Sequence, residues 1–197
     1  MFTDKLNQCY IDGDFVDPSQ SMNKINVVCP TTECVLKTIP VASFDDVNAA
    51  VRAARHAFEF YSQTSSDYRI QLLQNISLVY TSKMPQLAKA MSTEMGCPIS
   101  LAESAQVDMG LEHFTQAISA LQNYKFYSQH FSQRDISLIS FPSPEQYLDT
   151  DSQTLVRREP IGVVGMICAW DWPIESMCGK VASALAAGCT MVMKVRN

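Results

Sequence analysis

No apolar run in the chain approaches the roughly 18 residues that a transmembrane helix needs. Met1-Phe2-Thr3-Asp4-Lys5 leads into no apolar signal segment. Positive charge is also scarce: 15 Lys and Arg stand against 20 Asp and Glu, for a net charge of −5. That balance argues against an electrostatic grip on nucleic acid or on an anionic membrane. There is no C-x-x-C pair, and the spacings of Cys9, Cys29, Cys34, Cys97, Cys168, Cys178 and Cys189 fit no zinc or redox motif. His56, His113 and His130 have no partners at ligand spacing, so no metal site is expected. Internal repeats and low-complexity tracts are absent as well. A cytoplasmic protein with reduced thiols follows as the expectation, most of its cysteines acting as small core hydrophobes.

What is present is enough apolar content for a sizeable core, 47% of 197 residues. Asp12-Gly13, between Tyr10-Ile11 and Asp14-Phe15-Val16, signals a hairpin with a type I′ turn. Lys24 to Val28 and Val35 to Val41 read as a second strand pair, turning through Cys29-Pro30-Thr31-Thr32-Glu33. Ser43 and Asp46 form a capping box for a helix whose buried stripe is Val47, Ala50, Val51, Ala54 and Phe58. A second helix spans about Ser66 to Ser82, with Ile70, Leu73, Ile76 and Tyr80 inward. Pro85 is expected to end it and to start a shorter helix, closed by Gly96 and Pro98. A long helix follows from about Ser100 to Tyr124, with Val107, Leu111, Phe114, Ile118 and Leu121 on one face. Tyr124, Phe126 and Tyr127 read as core or interface. Ser137 to Phe141 and Gln146 to Arg157 look extended.

The most informative stretch comes last. Ile161 to Cys168 is almost continuously apolar, as suits a strand buried on both faces, and Pro160 marks its start. Asp171 is placed to cap a helix with Pro173 in its first turn. Ile174, Met177, Cys178, Val181 and Leu185 form that helix's apolar stripe, and Gly188 stops it. Cys189 to Val195 is a second strand. The unit is a parallel βαβ crossover. Gly162-Val163-Val164-Gly165 lies within the first strand and is not a G-x-G-x-x-G loop.

The text "EPIGVVGMICAWDWP", followed by "KVASALAAGCTMVMKV", resembles the NAD(P)-dependent aldehyde dehydrogenases. Their usual wording is near "EPVGVVG-I-PWNFP" and "K-APALA-GNTVV-KPAE". Order, spacing and residue type agree across the whole stretch, and weaker similarity covers the rest. The resemblance implies an α/β fold in which β-hairpins and helices precede an incomplete Rossmann-like parallel βαβ unit. Residues 1–197 would then be a partial NAD(P)-binding domain, with a bridging and oligomerisation arm at about 137–158. The chain would correspond to the N-terminal portion of a family member.

Family chemistry, as the resemblance implies it, oxidises an aldehyde to a carboxylic acid through a cysteine thioester, with NAD or NADP taking up hydride. The nucleophile and the base for water are expected beyond position 197. Trp170 and Asp171 match the family's Trp-Asn pair, whose Asn donates to the oxyanion. An ionised Asp is acceptor-only, and losing one such donor typically costs about 10²–10³ in rate. Helix capping is the plainer role for Asp171. Cofactor contacts are implied at Ile167, Ala169, Trp170, Lys194 and Asn197. Lys194 matches a lysine that meets the adenosine ribose or 2′-phosphate. Asn197 stands where NAD-preferring members often carry Glu, which leaves NAD and NADP both open, and neighbouring Arg196 leans toward NADP. Cys168 aligns just before the family's Pro-Trp-Asn and reads as a packed strand residue. Partners implied are an aldehyde and either further copies of the chain or full-length relatives. A different class of function stays in play: a non-catalytic interaction or oligomerisation fragment. Asp171 and the expected absence of nucleophile and base favour it for this chain alone.

Overall fold

The computed structural model of the chain describes residues 5, 7–19, 23–130 and 154–195. Two antiparallel hairpins come first, β1 (Cys9–Ile11) with β2 (Asp14–Val16) and β3 (Lys24–Val28) with β4 (Val35–Pro40). Asp12 and Gly13 both adopt positive φ, 55° and 85°, as a type I′ turn requires. In the second hairpin Glu33 takes the left-handed conformation at φ 57°.

Helix α1 (Phe44–Tyr61) begins with the expected capping box. The Asp46 carboxylate accepts from the Ser43 N–H at 2.7 Å, and the Asp46 N–H donates to Ser43 Oγ at 3.2 Å. It also accepts from the Ser19 N–H at 2.9 Å, which ties the helix start to the preceding loop. The buried stripe of α1 is narrower than its periodicity suggests. Ala50, Ala54 and Phe58 are half-buried, whereas Val47 and Val51 are 45% and 42% exposed. The helix leans on a two-stranded sheet, which is too small to cover its flank.

Helix α2 (Ser66–Met95) runs straight through Pro85, which therefore neither ends nor begins a helix. Leu73 and Tyr80 before the proline, and Ala88 and Met91 after it, are buried in the same cluster. That shared burial outweighs the missing N–H. Gly96 stops the helix in the left-handed region at φ 72°.

The long helix is also interrupted, though not broken. A short turn α3 (Ile99–Leu101) passes into a π-helical segment (Ala102–Gln106) and then α4 (Val107–Asn123). The extra residue in the π turn brings both Ala102 and Gln106 into the core. Helices α2, α4 and α5 (Pro173–Ala187) meet around Leu73, Tyr80, Val107, Phe114, Ile174 and Cys178. A Cβ on Gly110 would strike the Tyr80 hydroxyl and lie 2.6 Å from Ile174 Cγ2, so the α4 backbone can approach both helices only with glycine there. Tyr80 Oη donates to the Val107 carbonyl at 2.7 Å, and its ring packs against Phe114.

β5 (Tyr127–His130) pairs antiparallel with β6 (Thr154–Arg157). The rest of the arm expected at 137–158 falls on residues outside those described, except the segment from 154 onward. Of the three aromatics expected in a core or interface, Phe126 packs on the helical core and lies edge-on to Tyr124, whereas Tyr124 and Tyr127 are exposed. The chain closes with β7 (Val163–Cys168), α5 and β8 (Thr190–Val195), the strands parallel. The architecture is α/β with a two-stranded parallel sheet. Among the described residues no helix is long and apolar enough to cross a membrane.

Candidate functional site at the carboxyl ends of the parallel strands

Strand β7 is buried on one face only. Val164, Met166 and Cys168 turn toward α5, with Met166 and Cys168 at 4% and 1% exposure. Gly165 and Ile167 turn the other way, and Ile167 is 71% exposed. Ile161 is 88% exposed, because the strand starts at Val163 and Gly162, at φ 125°, bends the chain just before it. The two-sided burial expected from the apolar run is therefore not realised. An open groove of about 490 Å³ follows β7 and α5, lined by Ile161, Val164, Met166, Ile167, Ser183 and Ala187 among others.

Helix α5 is anchored from its far end. The Arg69 guanidinium donates to the carbonyls of Thr64 at 2.8 Å, Ser62 at 3.4 Å and Ala186 at 3.3 Å. Tyr61 Oη donates to Leu185 O at 2.9 Å, and burial pushes that phenol up to about 12, so it stays a donor at neutral pH. Thr190 Oγ1 donates to Ala54 O at 2.7 Å. Gly188, at φ 82°, has no room for a side chain, since a Cβ would lie 2.6 Å from Arg69 Cζ. Nothing in the residue pattern singles out Arg69 or Tyr61. Arg69 sits beside the inward-facing Ile70 of an otherwise ordinary amphipathic helix, and its partners are the nearby carbonyls of Ser62 and Thr64 and the distant one of Ala186 near the end of α5.

The parallel register sets Ile167 beside Lys194 and Cys168 beside Val195. Ala169, Trp170 and Asp171 follow directly on the loop after β7, all exposed, with Trp170 at 59%. Ile167, Ala169, Trp170, Asp171 and Lys194 are thus gathered at the carboxyl ends of the two strands, where ligands bind in open α/β sheets. Asn197 and Arg196 lie outside the described residues. Asp171 does not cap α5. The cap position is Trp172, without a side-chain bond, and Pro173 opens the helix. Asp171 sits one residue too early, and the Trp172 carbonyl accepts from Ser176 N–H at 2.9 Å instead.

Cys168 is packed, its thiol toward the Ser176 carbonyl at 3.9 Å. Cys178 is inert by burial, which pushes its thiol up to about 12 with help from Glu175. His113 meets Glu175 at 3.4 Å across α4 and α5. Arg157 pairs with Glu159 at 2.8 Å on the surface, a solvated ion pair at the approach to β7. No group of three or more metal-ligating side chains occurs among the described residues.

Comparison with known proteins agrees with this arrangement. The sequence profile of the Aldehyde dehydrogenase family matches residues 15–197. A 3-succinoylsemialdehyde-pyridine dehydrogenase from a Pseudomonas species is 41% identical over 186 residues, which is 94% of this chain and 34% of that protein. The crystal structure of an aldehyde dehydrogenase from Bartonella henselae superposes with a TM-score of 0.82 at 32% identity, covering 97% of this chain and 36% of that one. A mutant of aldehyde dehydrogenase C from Pseudomonas syringae, solved with NAD+ and octanal, superposes with a TM-score of 0.81 at 34% identity, covering 96% and 35%. The chain spans about a third of the length of these relatives. With the profile matched from the second strand to the last residue and the βαβ unit in place, the chain belongs to the aldehyde dehydrogenase family.

Proposed function

We propose that this chain is the N-terminal, cofactor-facing portion of an NAD(P)-dependent aldehyde dehydrogenase. The supporting observation is the convergence of Ile167, Ala169, Trp170 and Lys194 at the carboxyl ends of β7 and β8. These residues fit one end of such a cofactor. Trp170 and Ile167 offer exposed apolar surface to a flat ring or sugar, and Lys194 offers an ammonium to hydroxyl or phosphate oxygens. When bound, the nicotinamide supplies the hydride acceptor. The chain's own part is to seat and orient that group, and Cys168, packed against α5, takes none in the chemistry.

Asp171 limits what this loop does for an aldehyde. A carboxylate at the position of a donor amide withdraws one hydrogen bond from the developing oxyanion and adds like charge. The 197-residue chain by itself is therefore expected to show no aldehyde-dependent reduction of NAD or NADP. Turnover that disappears on replacing a cysteine within the chain overturns that expectation. Cofactor seating is tested by calorimetry with NAD and NADP. A measurable heat, with affinity reduced about tenfold in Lys194→Ala, is expected from loss of one charge-assisted bond. Flat titrations with both cofactors refute the seating.

A second reading rests on the uncovered groove beside β7. There the chain acts as an association fragment that pairs with another copy or with a longer relative through its open strand edge.

A further inference from the structure

The hairpin of β3 and β4 holds two cysteines that play no part in the site above. The last ladder pair is Val28 with Val35. Beyond it, the Cys29 N–H donates to the Cys34 carbonyl at 2.9 Å and the Cys29 carbonyl accepts from the Glu33 N–H at 2.8 Å, so Cys29 faces Glu33 and Cys34 together in a bulge at the base of the turn. Residues joined by such a cross-strand bond have Cα atoms about 5.5 Å apart. That separation lies within the roughly 4.4–6.8 Å that a disulfide spans. Thr32 engages both sulfurs. The Cys34 thiol donates to the Thr32 carbonyl at 3.4 Å, and the Thr32 hydroxyl and N–H favour the Cys29 thiolate. Both thiols are free, Cys29 buried and Cys34 exposed.

We propose that Cys29 and Cys34 form a reversible dithiol–disulfide couple that exchanges with small-molecule disulfides. Access and reactivity are divided between the two. Exposed Cys34 meets the reagent first. Its thiolate, having given its proton to solvent, attacks one sulfur of R–S–S–R, forms a mixed disulfide and expels one RS⁻. The Cys29 sulfur, which the Thr32 donors hold below the usual thiol range, then attacks the Cys34 sulfur as thiolate. The second RS⁻ leaves. In sum, two protein thiols lose two electrons and two protons, and one external disulfide becomes two thiols. The bond locks a turn that is already seated. Pro30 and Thr31 press on Gly96 at the end of α2, where an added Cβ would lie 2.7 Å from Pro30 Cγ and 2.8 Å from Thr31 Oγ1.

Trypsin releases both cysteines in one peptide, residues 25–37. The full chain is incubated with glutathione disulfide, quenched with iodoacetamide, digested and weighed. The expected peptide is lighter than the reduced form by two hydrogens, carries no alkyl group, and reverts with dithiothreitol. Cys29→Ser is expected to trap glutathione at Cys34. Cys34→Ser is expected to leave Cys29 unmodified and alkylatable. A persistent mixed disulfide at Cys34 in the unmodified sequence, or full alkylation of both thiols after exposure, overturns the proposal. Thermal melts of both serine variants confirm folding; should Cys29→Ser unfold, the mass of the unmodified chain decides alone.

Discussion

Two residues show how single side chains set local stability here. Asp46 is 6% exposed, and burial alone would raise its pKa. The N–H groups and hydroxyls of Ser19 and Ser43 outweigh that and hold its carboxyl below the usual range. A depressed folded-state pKa contributes stability above the unfolded value, near 3.8, and that contribution is lost as pH falls through the folded one. Asp46→Asn is expected to cost about 1 kcal/mol at neutral pH, the usual worth of a cap, and to flatten the acid limb of stability below about pH 4. Urea titrations at several pH values measure both. Glu33 is the converse case. A non-glycine residue in the left-handed region costs roughly 1–2 kcal/mol, and glycine's extra chain entropy returns about half of it. Glu33→Gly is therefore expected to raise the urea midpoint, by up to about 1 kcal/mol of stability. An unchanged or lower midpoint removes the strain argument. The turn was legible as a turn, but the residue carrying its strain was not, because left-handed geometry is set by how the two strands align.

At the scale of elements, the cost of Pro85 is the clearest quantity. Proline inside a helix is about 3 kcal/mol less favourable than alanine. It is tolerated because α2 buries Leu73, Tyr80, Ala88 and Met91 on both sides of it. Pro85 is itself exposed, so Pro85→Ala is expected to stabilise the chain by about 1–3 kcal/mol without disturbing the core. Chemical denaturation measures the gain, and a loss of stability shows instead that the proline shapes the helix for packing. Local rules correctly anticipated the hairpins, the capping box, the apolar stripe of α4 and the glycine stops. They failed where a long-range partner decided the matter: at Pro85, at the π turn that buries Gln106, and at the cap of α5, which slid from Asp171 to Trp172.

Taken whole, the molecule has a solid three-helix core and a thin sheet. Among the described residues β7 has a partner on one side only, and Ile161 and Ile167 stand open beside an apolar groove. An uncovered parallel edge with exposed large hydrophobes invites association. The isolated chain is expected to self-associate, with a melting midpoint that rises with protein concentration. Ile167→Lys is expected to shift light scattering toward the monomer. A cooperative, concentration-independent transition of a monomer refutes this.

The order and spacing of residues determined the kinship, the βαβ unit and the list of residues at its carboxyl ends, since each depends on local pattern: apolar runs, a proline, a glycine stop. Tertiary structure alone decided which face of β7 is covered, which thiols face one another, and that Tyr61 of α1 and Arg69 of α2 brace α5 from far away in the chain. Those outcomes depend on what is packed opposite, and burial is a property of pairs of elements that no single segment encodes.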